Sequence, residues 1–499
     1  MEMQFDRIPV TYLQKVTGQL RTQEQTLEVR LPEGMPDIGR VLGAWGQVIV
    51  RGKEWNGDNM AVSCGVMAWV LYIPEEGEGV RSVEAWLPFM LKWELPESRR
   101  DGKIHTTCHL RSLDARSTSA RKLMVRATLG GYGEAWQEEQ LQIPVPGELP
   151  EDVEMLTETY PLYLTKEMGE KPFLLEEQLN LPAGMGKPEK LLYYSLQPEI
   201  AEQKVMAGKA VFRGKGLLHL LYQTDEGRLC AYDWELPFSQ YADLEGMYDQ
   251  DPTVSVQPCV TSLDVTVDDN GNLQCKAGIL GQYLLWDRDM LTLAKDAYSP
   301  LRTVELTTEQ LQLPAVLEQI TSTASTEKTL DADVQQMVDV HFCPEHPQTE
   351  QAEQGMELYL PGQFQLLYYD PDGELTADIV SAEGQLSLAT PRENQINARL
   401  MSIGRPQAIP GAGNVSLRAD MTVDTLVTAG QGMDALAGME LGELEKPNPN
   451  RPTLILCRKG DKNLWELAKD TGSTVEKIKR ANALTEEPLG DSILLIPVS

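Results

Sequence analysis

The sequence predicts a mainly β protein, with three repeated β-sandwich or barrel-like domains followed by a small α+β domain of βααβ order. Three observations carry this prediction. A set of five short landmarks recurs at an offset near 150 residues. The apolar runs between turn clusters are short and rich in Val, Leu and aromatic residues. Helical periodicity over ten or more residues is missing before about residue 450 and present after it.

The repeat is read from its landmarks. Leu31-Pro32-Glu33-Gly34-Met35 returns as Leu181-Pro182-Ala183-Gly184-Met185, and Val70-Leu71-Tyr72 as Leu220-Leu221-Tyr222. Tyr72 precedes Gly77 by five positions, as Tyr222 precedes Gly227. Leu87-Pro88-Phe89 pairs with Leu236-Pro237-Phe238, and Ser112-Leu113-Asp114 with Ser262-Leu263-Asp264. A more divergent third copy starts from Leu313-Pro314, continues with Leu367-Tyr368 and Gly373, and ends at Ser402-Ile403. Its Leu-Pro to Tyr distance is 55 residues where the first two copies have 41. That difference predicts an insertion, placed in the polar run 343–355.

Within each copy, Val62 to Tyr72 and Leu217 to Tyr222 read as strands closed by acidic, Gly-containing turns. These turns are Pro74-Glu75-Glu76-Gly77, Asp225-Glu226-Gly227 and Asp370-Pro371-Asp372-Gly373, so each is predicted to lead a hairpin back through the Leu-Pro-Phe segment. Asp268-Asp269-Asn270-Gly271-Asn272 predicts a further turn, since Asn-Gly supplies positive φ. Tyr72, Tyr222 and Tyr368 are read as structural. The joints fall near Pro144–Pro150 and Ser299–Glu309, which gives units 1–150, 151–305 and 306–445, a linker 446–452 and a terminal module 453–499.

Length and charge bound the function. A chain of 499 residues is too long for one core. A formal charge of −31 disfavours nucleic acid and anionic surfaces, so no nucleic-acid partner is expected. Residues 452–499 hold seven basic and seven acidic side chains, so the imbalance lies wholly in the body. The N-terminal MEMQFDRIPVTYLQKV has neither a basic segment nor an apolar run, and the longest apolar stretch, Gly65–Pro74, is about half of what a bilayer requires. No transmembrane segment and a reducing, cytoplasmic location are expected; seven cysteines without a CxxC pair agree.

In the terminal module, Leu454-Ile455-Leu456 reads as a strand, and Leu464, Leu467 and Ala468 as the buried face of a helix stopped by Gly472. Ser473-Thr474-Val475-Glu476 has the form of a capping box opening a second helix, with Val475, Ile478 and Ala481 as its buried stripe. Ile493–Pro497 closes the module as a strand. Gly460-Asp461, Leu464-Trp465-Glu466-Leu467-Ala468-Lys469, Gly472 to Ile478, Ala481-Asn482-Ala483-Leu484 and Leu495-Ile496-Pro497 together resemble a LysM domain over the whole module. The resemblance implies a shallow groove for N-acetylglucosamine polymers, formed here by Gly460, Asp461, Lys462, Asn463, Asn482, Ala483 and Leu484. It implies a core role for Trp465 beneath that groove. Two departures fall in the groove loops: Gly-Asp-Lys-Asn-Leu-Trp stands where the family has Gly-Asp-Thr/Ser-Leu-Trp, and Leu489-Gly490-Asp491 where it has Pro-Gly-Gln.

The body's recurring Leu-Tyr, acidic turn and Leu-Pro-Phe, followed by a LysM-like module, resemble the SPOCS domains of spore-morphogenesis proteins, with the SipL/SpoVID type as the nearest architecture. That resemblance implies a non-catalytic scaffold in spore coat and cortex assembly. It implies action from the mother-cell cytoplasm at the developing spore surface, with the LysM module docking on a protein partner, the spore-coat basement ATPase. Peptidoglycan binding through the LysM groove is the alternative.

Sharper chemistry finds little support. His341-Phe342-Cys343-Pro344-Glu345-His346 gathers two His and a Cys without a second ligand cluster, and is read as a polar loop with no metal. Cys64, Cys108, Cys230, Cys259 and Cys275 lie among strand residues and are read as buried apolar positions, with Cys457 treated alike. No Gly-x-Ser-x-Gly motif and no recognisable nucleophile–histidine pairing occurs, and Gly130-Gly131-Tyr132-Gly133 lacks the following Lys-Ser/Thr of a phosphate loop. The expectation is a protein without catalytic residues or cofactor.

Overall fold

The computed structural model describes residues 2–56, 59–95, 102–182, 184–268, 271–353, 355–445, 452–486 and 492–498. The fold is mainly β, with 74% strand and 3% helix, so the core is built by sheet packing everywhere outside the C-terminal module. After a short β1 (Glu2–Gln4), the first unit comprises β2 (Asp6–Arg30), β3 (Ile38–Asn56), β4 (Asn59–Pro74), β5 (Arg81–Glu94), β6 (Lys103–Ser119) and β7 (Lys122–Val145). The second comprises β8 (Glu154–Leu179), β9 (Pro188–Met206), β10 (Lys209–Thr224), β11 (Leu229–Asp243), β12 (Thr253–Val267) and β13 (Leu273–Tyr298). In the third, β14 (Val304–Leu330) leads to β15 (Gln336–Pro344), β16 (Gln348–Gln351), β17 (Met356–Tyr369), β18 (Leu375–Leu388), β19 (Gln395–Ile403), β20 (Gln407–Pro410) and β21 (Val415–Leu441). The terminal module runs β22 (Leu454–Arg458), α1 (Leu464–Thr471), α2 (Val475–Ala481), β23 (Ile493–Pro497).

Each unit is the same antiparallel design. A meander (β3-β4-β5, β9-β10-β11, or β15/β16-β17-β18) faces a second sheet in which the last strand pairs with both the first and the penultimate one. Apolar residues of both sheets fill the space between, as Val62, Val66, Leu87, Val125 and Leu129 do in the first unit. Even the irregularities recur. The ladder skips Val16 in β2, Lys166 in β8 and Leu317 in β14, and again Arg111 in β6, Thr261 in β12 and Met401 in β19. Strands of about 25 residues are several times the usual length, and such bulges increase their twist and bend them at equivalent points.

Two of the predicted turns close by backbone hydrogen bonds, Gly227 N–H to Thr224 O at 2.9 Å and Gly373 N–H to Asp370 O at 3.0 Å, and the recurring Leu-Pro landmarks are turns as well. Met35 N–H donates to Pro32 O at 3.3 Å with Gly34 at φ 90°, and Met185 to Pro182 with Gly184 at φ 95°, a geometry that requires glycine at the third position. Tyr72 and Tyr222 are fully buried and donate to the carbonyls of Pro36 (3.0 Å) and Met185 (3.1 Å), so each pins this turn to its own meander. Tyr368 donates to Asp378 instead, at 2.7 Å.

Three expectations need correction. Leu313-Pro314 lies in mid-strand, opposite Gln431 and Gly430, and the turn that follows the first long strand of the third unit starts at Leu330. Counted from Leu330, Tyr368 comes 38 residues later, so there is no insertion. Segment 343–355 is the meander's first strand, interrupted between β15 and β16, both of which pair with β17. Nor is His341–Cys343 a polar loop: it belongs to β15, and burial pushes the Cys343 thiol up to about 12 and pulls His341 down to about 4. Finally, Ala481 is exposed, while Val475 is half-buried and Ile478 buried.

The units close on one another in a cycle. β5 contacts β9, β11 contacts β15, and β18 contacts β3; likewise β3 meets β12, β9 meets β19, and β15 meets β6. The last strands of the units, β7, β13 and β21, touch pairwise. Their outer halves and the first strands share one apolar cluster that includes Tyr12, Ile143, Leu162, Leu293, Leu313 and Met433. β1 then adds to β21, pairing Glu2 with Glu440, so the chain's start is tied to its third unit. The result is a pseudo-threefold ring made by one chain.

Candidate functional site

The terminal module is held together by a compact core of Leu464, Leu467, Ala468, Ile478, Leu494 and Ile496. α1 begins at Asn463, whose side chain accepts from Glu466 N–H at 2.8 Å while Glu466 accepts from Asn463 N–H at 2.9 Å. This is a complete capping box, in a place the sequence reading passed over. The box anticipated at Ser473 does not form. Thr474 is the N-cap of α2, accepting from Lys477 N–H, and the Ser473 hydroxyl donates to Pro497 O.

Both groove loops border β23. The first follows β22, with Lys459 N–H donating to Ser492 O, and turns through Gly460 at φ 57°. The second leaves α2 through Asn482 and Ala483, the latter at φ 51°. The seven groove residues divide by what their side chains already do. Asn482 Nδ2 donates to Ile478 O and Leu495 O, and its Oδ1 accepts from Leu495 N–H, so this amide fastens α2 to β23. Asn463 is the cap, and Lys462 pairs with Asp470 at 2.5 Å. Leu484 packs against the module core. Asp461 and Ala483 are exposed. The linker residues 446–451 and Leu489-Gly490-Asp491, which departs from the LysM pattern, lie outside the described residues.

The module is docked on the ring by α1. Trp465 Nε1 donates to Asp296 at 2.8 Å, and Lys469, one turn on, pairs with the same carboxylate at 2.7 Å. Tyr298 meets the Trp465 ring edge to face at 4.8 Å and donates to Ser473 O at 3.0 Å. Trp465 packs against the module's core cluster, which includes Tyr298, and is at the same time an interface residue, half-buried against β13. Residue spacing gave no sign of this, because both of its partners lie more than 160 positions away.

A further surface was legible and was missed. In a two-stranded sheet alternate residues face outward, so Leu454-Ile455-Leu456 cannot all be buried. Leu454 and Leu456 project outward, 51% and 72% exposed, and Ile493 joins them at 66%. The docking contacts run through Trp465, Lys469 and Ser473, while Leu454, Leu456 and Ile493 stay exposed. Among the described residues no group of three or more His, Cys, Asp and Glu side chains is placed to hold a metal, and no helix is long and apolar enough to cross a membrane.

Residues 187–268 match the family model described as SipL, SPOCS domain. The match spans 82 of 499 residues and, in the structure, runs from the start of β9 to the end of β12: one meander and the strand after it. No curated protein matches the chain.

Proposed function

We propose that this chain is a non-catalytic scaffold of spore-envelope assembly, with three SPOCS-type units closed into an acidic ring and a LysM-type module presenting a docking surface to a protein partner. One observation carries the reading. The segment that matches the SipL SPOCS model is one of three with the same strand order and the same bulges, so the family likeness extends over the ring by structural equivalence. The resemblance names the spore-coat basement ATPase as the partner and the mother-cell cytoplasm as the place.

Two features favour protein over glycan. The module exposes Leu454, Leu456 and Ile493 on one face, an apolar surface suited to a protein interface. The groove amides Asn463 and Asn482, which would hydrogen-bond a sugar, serve the module's own backbone. The test titrates full-length protein with the basement ATPase and, separately, with N-acetylglucosamine oligomers. ATPase binding weakened tenfold or more by Leu456→Glu supports the scaffold. Saturable oligomer binding lost in Asp461→Lys, with no ATPase binding, replaces it by the peptidoglycan reading.

A further inference from the structure

Where the three units meet, the structure leaves a cavity of about 240 Å³ that plays no part in the docking surface. Its walls come from β3, β6 and β7 of the first unit, β9 and β12 of the second, and β15 and β19 of the third. The equivalent strands β6, β12 and β19 each bring the residue five positions before the recurring serine, namely Thr107, Gln257 and Asn397. Three polar side chains thus stand at threefold-equivalent positions around one space. Two positions further along, the same strands contribute His109, Cys259 and Arg399.

Among the described residues, four buried polar atoms of the lining have no partner: Thr107 Oγ1, His105 Nε2, His109 Nε2 and Gln257 Oε1. His105 is 2% exposed and Gln257 9%. Leaving a buried polar atom unpaired is costly, and four around one cavity mark a place built to be filled. Val48, Val50, Val260, Phe342 and Leu400 give the wall its apolar part, beside the polar Gln47, Tyr132, Ser195 and Gln197. A few convergent polar atoms on an apolar wall is the make-up of a small-molecule site.

The chemistry of the occupant follows from what each polar atom has left to offer. Glu134, 1% exposed, faces Arg399 at 3.0 Å, Lys15 at 3.7 Å and His105 Nδ1 at 3.4 Å, and also accepts from Asn397. A carboxylate flanked by two cations only accepts, so the His105 proton sits on Nδ1 and Nε2 is left as an acceptor. Gln257 Nε2 donates to Leu400 O at 3.0 Å, which leaves Oε1 as a second acceptor. The Glu134 charge is already met by Arg399 and Lys15, so the cavity calls for hydrogen-bond donors without net charge.

We propose that this axial cavity binds an uncharged small molecule with amide N–H or hydroxyl donors at one end and an apolar body at the other. Because all three units line it, the bound molecule holds the ring closed and raises its unfolding temperature. The experiment titrates full-length protein with benzamide, 4-hydroxybenzamide and the donor-free N,N-dimethylbenzamide, by calorimetry and thermal unfolding. One benzamide or 4-hydroxybenzamide per chain is expected, with binding at least tenfold weaker for the dimethyl analogue and for Gln257→Met. Thr107→Val is close to isosteric, so weakened binding there keeps the test valid if the Gln257→Met variant fails to fold. No saturable binding of either donor-bearing probe, meaning a cavity that holds only water, overturns the proposal. Binding indifferent to these substitutions overturns it equally.

Discussion

His219 of β10 and Asp339 of β15 meet across the boundary between the second and third units, Nε2 to Oδ2 at 3.1 Å, while Nδ1 of the same ring faces Asp233 at 2.6 Å. Asp233 lies directly opposite His219 in the β10–β11 ladder, and Arg405 reaches its other oxygen at 2.9 Å. Burial opposes charging the imidazole, but Asp339 and Asp233 together raise its pKa to about 10. The ring is thus a buried cation that ties two units together.

The sign of its pH dependence follows. A histidine that titrates near 6.5 when unfolded and near 10 when folded stabilises fully below 6.5, and that contribution is lost as pH rises through about 10. His219→Gln takes the cation from the buried Asp339 and leaves Asp233 to Arg405 alone, at a cost of about 3–5 kcal/mol. Urea midpoints of wild type and variant should differ most at pH 6 and converge toward pH 10.

The other four histidines predict acid sensitivity. Burial pulls His109 down to about 3 and His341 and His346 to about 4, and lowers His105 well below its ordinary value. These groups are neutral in the fold and bind protons on unfolding, so stability is full above pH 6.5 and falls toward pH 4. A shift of that size is worth on the order of 3 kcal/mol for a single histidine. Glu134, held near 2 despite its burial by Arg399, Lys15 and His105, extends the loss from pH 4.5 downward. His346→Phe keeps the stack on Tyr132 (4.2 Å between centroids) without the titration, and should make the urea midpoint fall less steeply between pH 6.5 and 4.

Tyr72 and Tyr222 pin their Leu-Pro segments by similar hydrogen bonds to acceptors one position apart in the repeat, Pro36 O and Met185 O, and these should have similar worth. Tyr72→Phe and Tyr222→Phe each remove the donor that pins a Leu-Pro turn, at about 1 kcal/mol apiece. Chemical denaturation should give matching losses. A large difference between them would mean that the two turns are not held alike.

The module's attachment is separable from its folding. Asp296→Ala removes the partner of both Trp465 and Lys469. It should increase the radius of gyration seen by solution scattering and speed amide exchange along α1, with the ring's unfolding midpoint changed by under about 1 kcal/mol, as for a surface pair.

Asn482→Ala and Asp461→Lys should part company. The first leaves the Leu495 N–H and two carbonyls without their side-chain partner and should lower the module's thermal midpoint. The second changes an exposed side chain and should leave that midpoint unmoved.

Much of this fold was legible because it is local. Gly227 and Gly373 read as turn residues from their acidic clusters, and Leu464, Leu467 and Ala468 as a buried helix face from their spacing. Where reading failed, the local signal was ambiguous. Leu313-Pro314 has the letters of the first repeat landmark, but only strand pairing shows that it lies inside β14. Asn463 and Ser473 both precede a glutamate at the spacing of a capping box, and only the backbone path decides between them. The seven groove positions were named by likeness, yet what Asn463 and Asn482 do there is settled by hydrogen bonds to residues the likeness does not mention.

The residue pattern alone determined the strand-rich content and the acidic character, since periodicity, turn chemistry and charge are carried by neighbours along the chain. Tertiary structure decided that the units close into a ring, that Thr107, Gln257 and Asn397 face one another, and that Trp465 rests on Tyr298. Those choices depend on which surfaces bury one another across a hundred or more residues. A strand's alternation says that a side chain faces inward, and nothing about what it will find there.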